Sequence, residues 1–121
     1  MNRLSREQVE QWLAGAQPSA SVYLVGAGGC GMSGLAHLLL DLGLVVQGSD
    51  LRDHAGLRSL CELGAVVHEG HAPEQLRAAQ PDLVVYSSAI RMDNPELALA
   101  QQLGIPLVPV SYTHLRAHET E

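Results

Sequence analysis

The residues that most openly offer chemistry are the glycines of Val25-Gly26-Ala27-Gly28-Gly29-Cys30-Gly31-Met32-Ser33-Gly34. They follow a short β-rich run and precede a helical pattern, the context in which a G-x-G-x-x-G spacing holds a diphosphate. Gly26 permits a tight turn, Gly28 removes a side chain that would collide with the ligand, and Gly31 lets the helix pack against the strand. The helix start then turns unpaired N–H groups and a partial positive charge toward an anion. A turn that binds nothing is the competing reading, but it has little use for five glycines between Gly26 and Gly34, given the conformational entropy each one costs. Cys30 stands inside this loop, where a helix N-terminus can lower a thiol pKa. A small filler residue is its simpler role.

Asp50 lies nineteen residues beyond Gly31. A carboxylate at the end of a second strand commonly accepts hydrogen bonds from a ribose hydroxyl; a solvated helix N-cap is the competing role. Ser87 and Ser88 close a fourth strand, at the end of the sheet where open parallel sheets bind ligands. With strand order 3-2-1-4-5 they would face the glycine loop across a crevice, as hydrogen-bonding groups. No GxSxG elbow and no His–acid pair marks either as a nucleophile. His68 and His71 are spaced H-x-x-H, but no Cys or third His lies near them, so no metal site is expected. His71 is the better placed of the two to reach a ligand's base, and His68 suits a strand end. His37 reads as helix surface or packing, and Arg91 as a solvated loop residue. No residue is assigned a catalytic role.

The elements that must position these groups alternate. Ser5 and Gln8 form a capping box, with Leu4 and Val9 as its staple, for a first helix ending near Gly15. Strands are expected at Val22–Val25, Val45–Ser49, Ala65–His68, Leu83–Tyr86 and Ile105–Val110. Between them run helices over about 31–42, 57–63 and 74–79, and one that opens on Asn94 as N-cap and Pro95 as first residue. Strands recurring with helices between them predict an α/β, Rossmann-like open parallel sheet of about five strands, with helices on both faces. Residues 1–20 are read as a helix and linker, 21–110 as the Rossmann-like domain. Residues 111–121 are read as a non-native tail resembling translated library-adapter DNA, with a short native helix as the alternative.

Composition narrows the partners. The 121 residues are 46% hydrophobic and 17% charged, which suits one globular domain. Thirteen acids against seven bases give a net charge of −6, the wrong sign for a nucleic-acid surface. All seven bases are Arg, so the Lys of a Walker A loop is missing, and with it Schiff-base chemistry. Two cysteines thirty-one residues apart fit a reduced cytoplasmic setting. The N-terminus has no signal-peptide core, and no apolar run is long enough to span a membrane.

These segments together resemble the Mur ligase family. The likeness runs from the Gly26–Gly34 loop through Gly48-Ser49-Asp50, Gly70-His71, Ser87-Ser88-Ala89-Ile90, Asn94-Pro95-Glu96-Leu97 and Gly104-Ile105-Pro106, in the family's order and spacing. The most similar branch joins L-alanine to UDP-N-acetylmuramate; the branch that recycles murein tripeptide is less similar. The resemblance implies an N-terminal domain that binds UDP-N-acetylmuramate. In the family this domain works with a central domain carrying the ATP loop and Mg2+ site, and with a third domain that closes over ATP and the amino acid. The whole enzyme forms its amide bond through an acyl phosphate, in cytoplasmic peptidoglycan synthesis. By position, the backbone N–H groups of Gly26, Ala27, Gly28, Gly29, Cys30, Gly31, Met32 and Ser33 would hold the diphosphate. Asp50, His71, Ser87 and Ser88 would lie toward the uridine end.

The likeness stops near the fifth strand, before the family's sixth strand and its GxxGKT-type segment, which agrees with the missing Lys. The expectation is a polypeptide that binds the UDP-sugar, needs no cofactor of its own and does not ligate. ATP and Mg2+ would belong to the full-length enzyme. Two alternatives share the glycine fingerprint: the NAD-binding domain of an oxidoreductase, and a non-catalytic nucleotide-sensing module. Against the first stand the Gly31-Met32-Ser33-Gly34 and Ser87-Ser88-Ala89-Ile90 segments.

Overall fold

The computed structural model describes residues 5–15, 20–28, 31–50, 58, 61–70 and 72–113. The chain opens with helix α1 (Arg6–Gly15). Its start is the expected capping box: the Ser5 amide donates to Gln8 Oε1 at 2.8 Å, and the Gln8 amide donates to Ser5 Oγ at 3.2 Å. Leu4, the proposed staple residue, lies outside the described residues.

Five strands follow: β1 (Ser21–Val25), β2 (Val45–Asp50), β3 (Val66–Glu69), β4 (Leu83–Tyr86) and β5 (Leu107–Pro109). They form one sheet in the order β3-β2-β1-β4-β5, every pair parallel. Helix α2 (Met32–Asp41) links β1 to β2, α3 (Pro73–Ala79) links β3 to β4, and α4 (Pro95–Leu103) links β4 to β5. Of the helix expected between β2 and β3, residues Arg58, Cys61 and Glu62 are helical and Leu63 is already in the turn that follows; Leu57, Ser59 and Leu60 lie outside the described residues.

Side-chain alternation along the strands explains why both faces are covered. Val22, Leu24, Val46, Leu83, Val85 and Val108 point to one face and pack against Val9 and Leu13 of α1 and Met32, Leu35, Ala36 and Leu39 of α2. Tyr23, Val25, Val84, Tyr86 and Leu107 point to the other face, against Leu76 of α3 and Leu97, Leu99 and Ala100 of α4. Strands buried on both sides read as continuous apolar runs. Gly48 marks where β2 comes closest to β1. A Cβ there would stand 2.4 Å from the Leu24 carbonyl oxygen, so only glycine fits.

Strand β5 is shorter than the apolar run Ile105–Val110 suggests. Residues Val110–Thr113 leave the sheet as a 3-10 turn, closed by Thr113 Oγ1 donating to the Val110 carbonyl at 2.6 Å. Thr113 is buried in that turn, and Tyr112 packs against the α1–α2 layer.

Candidate functional site

The glycine loop sits where the strand order reverses. β1 has β2 on one side and β4 on the other, and the strand order runs outward from it in opposite senses, to β3 and to β5. A crevice forms at such a switch point, outside the carboxyl ends of the strands. Gly26, Asp50 and Ser87 all stand at that end, one after each of β1 and β4 and one closing β2.

Gly26 turns the chain with φ of +82°, a conformation L side chains rarely adopt. Added bulk would also meet Ile90 Cγ1 at 3.0 Å and Ser87 Oγ at 3.2 Å. The β4 exit therefore lies directly against the loop, as the strand order requires. Ser87 is buried and bound into its own turn: its amide donates to the Val25 carbonyl at 3.1 Å, and its Oγ accepts from the Ala89 amide at 3.2 Å. Ser88 is exposed beside it.

Three loop amides are already engaged. Those of Gly26 and Ala27 donate to the Ser49 carbonyl at 2.8 and 2.9 Å. The Gly28 amide donates to Asp50 Oδ2 at 2.8 Å. The expected cradle, in which every amide from Gly26 to Ser33 faces the ligand, is thereby narrowed. Gly26 and Ala27 shape the turn, while Gly28 already holds an anionic oxygen from within the chain. Asp50 thus has a partner within the loop itself. Its carbonyl also accepts from the Gly70 amide at 2.6 Å, which ties the β3 exit to the same point.

The open amides lie further along. Gly31 is the N-cap of α2, with φ of +80°, and among the described residues no side chain caps the helix. The first-turn amides of an α-helix have no acceptor within it, so those of Met32, Ser33 and Gly34 stand at the positive end of the helix dipole with no carbonyl of their own helix to take them. Met32 anchors the turn by burying its side chain; Ser33 and Gly34 are exposed. Gly29, Cys30 and His71 lie outside the described residues. His68 is half-buried in β3 opposite Ser49, His37 is exposed on α2, and Arg91 pairs in solvent with Asp93 at 3.5 Å. Among the described residues no three His, Cys, Asp or Glu groups come together to hold a metal. A groove of about 470 Å³ runs along α2 from Gly31 to Asp41 with Thr113 on its wall. Of the residues named from sequence, Gly31, Gly34 and His37 line it.

One polar cluster escaped the sequence reading. Glu96, in the first turn of α4, is fully buried and accepts from Tyr23 Oη and, at 2.5 Å, from Ser49 Oγ. Burial first, and then the Glu96 carboxylate, push the Tyr23 hydroxyl far above its ordinary pKa. Read as a helix N-terminus, Asn94-Pro95-Glu96 makes Glu96 a solvated first-turn acid, and Asn94 does cap the helix through Oδ1 and the Glu96 amide at 2.8 Å. Two signals were available. Glu96 stands four residues before Ala100, on the apolar stripe of α4, and Tyr23 sits in a strand whose other core residues have no polar tip to satisfy.

The model of the Mur ligase family, catalytic domain, matches residues 21–113. The chain belongs to the Mur ligase family. The UDP-N-acetylmuramate–L-alanine ligase of Methylobacillus flagellatus is 50% identical over 88 residues, covering 73% of this chain and 18% of that protein. The crystal structure of UDP-N-acetylmuramate–alanine ligase from Thermotoga maritima superposes with a TM-score of 0.74 at 28% identity, over 83% of this chain and 23% of the other. The ligase for UDP-N-acetylmuramate and L-alanyl-γ-D-glutamyl-meso-diaminopimelate from Neisseria meningitides gives a TM-score of 0.70 at 26% identity, over 76% of this chain and 29% of the other. The chain thus spans about a fifth of the curated relative it matches. The five-stranded parallel sheet expected from sequence is the fold that this Mur ligase domain has.

Proposed function

We propose that residues 21–113 form the part of a Mur ligase that binds UDP-N-acetylmuramate, in an enzyme that joins L-alanine to it during peptidoglycan synthesis. The observation that carries this reading is the uncapped N-terminus of α2, reached through a glycine turn at the switch point of the sheet. A diphosphate seated there receives the Met32, Ser33 and Gly34 amides. Displacing the Asp50 carboxylate would release the Gly28 amide to it as well. Asp50 would then turn toward the ribose, and Ser88 and His71 would stand at the nucleoside side. The sugar's carboxylate would be presented outward for activation elsewhere. The chain has no Lys, so no Walker-type loop lies within these 121 residues. ATP, Mg2+ and the ligation step are therefore assigned outside them.

Calorimetric titration of the chain with UDP-N-acetylmuramate, NADH and ATP tests the reading. Heat is expected from the uridine ligand alone. Tight NADH binding with no response to UDP-N-acetylmuramate would move the chain to the oxidoreductase alternative.

A further inference from the structure

The Tyr23–Ser49–Glu96 cluster lies outside the loop assigned to the ligand, and it is a costly way to fill a core. A carboxylate and two hydroxyls, all without solvent exposure, are brought together there. Apolar residues of similar volume would fill the space at no such penalty. What they would not do is fasten three segments at one point. Tyr23 belongs to β1, Ser49 to the last pair of residues in β2, and Glu96 to the first turn of α4. Ser49 is also the residue whose carbonyl receives the Gly26 and Ala27 amides.

We propose that Glu96 is a positioning residue for the glycine loop: by holding the Ser49 side chain it holds the Ser49 peptide, and through it the Gly26–Gly28 turn beside α2. The proposal rests on the reading of this loop as the diphosphate site. A carboxylate is suited to the task because two hydroxyl donors need two acceptors. An amide supplies one oxygen and one NH2, so Glu96→Gln sets a donor against one of the two hydroxyls.

The test compares the 121-residue chain with Ser49→Ala, Glu96→Gln and the double variant. Leu107→Ala serves as control, since it opens a cavity in the same layer but in β5. Two readouts are taken: hydrogen exchange of the Gly26 and Ala27 amides by NMR, and calorimetric affinity for UDP-N-acetylmuramate. Each single variant is expected to speed exchange at Gly26 and Ala27 about tenfold relative to Val84 and Val85 in β4, and to weaken the ligand by a similar factor. The double variant should be no worse than either single one, because both cut the same link. Leu107→Ala should lower the thermal midpoint and leave loop exchange as it was. If Glu96→Gln does not fold, Ser49→Ala decides alone. Unchanged exchange at Gly26 and Ala27 in folded Ser49→Ala overturns the proposal, as does an equal effect from Leu107→Ala. If the unaltered chain shows no affinity for UDP-N-acetylmuramate, the diphosphate reading falls, and the exchange arm still decides whether Glu96 holds the loop.

Discussion

At Gly26 two constraints coincide, a left-handed backbone and a wall of Ile90 and Ser87 side-chain atoms at 3.0 to 3.2 Å. Gly26→Ala is expected to destabilise the chain by about 1–2 kcal/mol from the backbone alone, with more from the displaced Ile90. Urea unfolding measures it, and an unchanged midpoint would mean that the turn has relaxed. Tyr23 supports a prediction in pH. Its hydroxyl titrates higher in the fold than in the unfolded chain, so its contribution is whole below the unfolded value and shrinks as pH rises beyond it. Above a pH of about 10 the unfolded state loses the proton first, and stability should fall by up to about 1.4 kcal/mol per pH unit from this group. Tyr23→Phe should remove that share of the alkaline slope in unfolding curves recorded from pH 8 to 11.

Helix ends and the alternation of strands and helices were the features most legible in advance, because local chemistry writes them. The Ser5–Gln8 box and the Asn94 cap appear with the partners expected of them. Asn94→Ala should cost about 1 kcal/mol by thermal unfolding, since the Glu96 amide would lose its acceptor. The parallel sheet followed from the rhythm of strands and helices, while the order β3-β2-β1-β4-β5, a condition in the sequence reading, is set by the fold. What sequence could not supply was the destination of each amide. Gly26, Ala27 and Gly28 look equivalent in a motif, yet the Ser49 carbonyl and the Asp50 carboxylate claim them because parallel pairing puts Ser49 beside Val25. Glu96 was hidden for a related reason. Its burial depends on how α4 lies over β1 and β2, which no window of sequence around Asn94 contains. The fifth strand ended early because Val110–Thr113 turns away to pack near α1, again a tertiary choice.

For the molecule as a whole, a net charge of −6 sets how an anionic ligand can be held. A negative chain does not draw a diphosphate from a distance, so the proposed recognition relies on groups at contact range. The uncapped start of α2 is the place that offers them. No helix among the described residues is long and apolar enough to cross a membrane. The sheet ends in β3 on one side and in the three-residue β5 on the other, where Pro109 lacks an N–H to offer a further strand. The central claim is that the diphosphate of UDP-N-acetylmuramate rests on the first-turn amides of α2. An amide NMR titration of the chain with that ligand tests it most directly. The account predicts saturable shifts concentrated at Met32, Ser33 and Gly34, with Gly28 moving as Asp50 lets go. A folded chain whose Met32–Gly34 signals stay still at saturating ligand would contradict it.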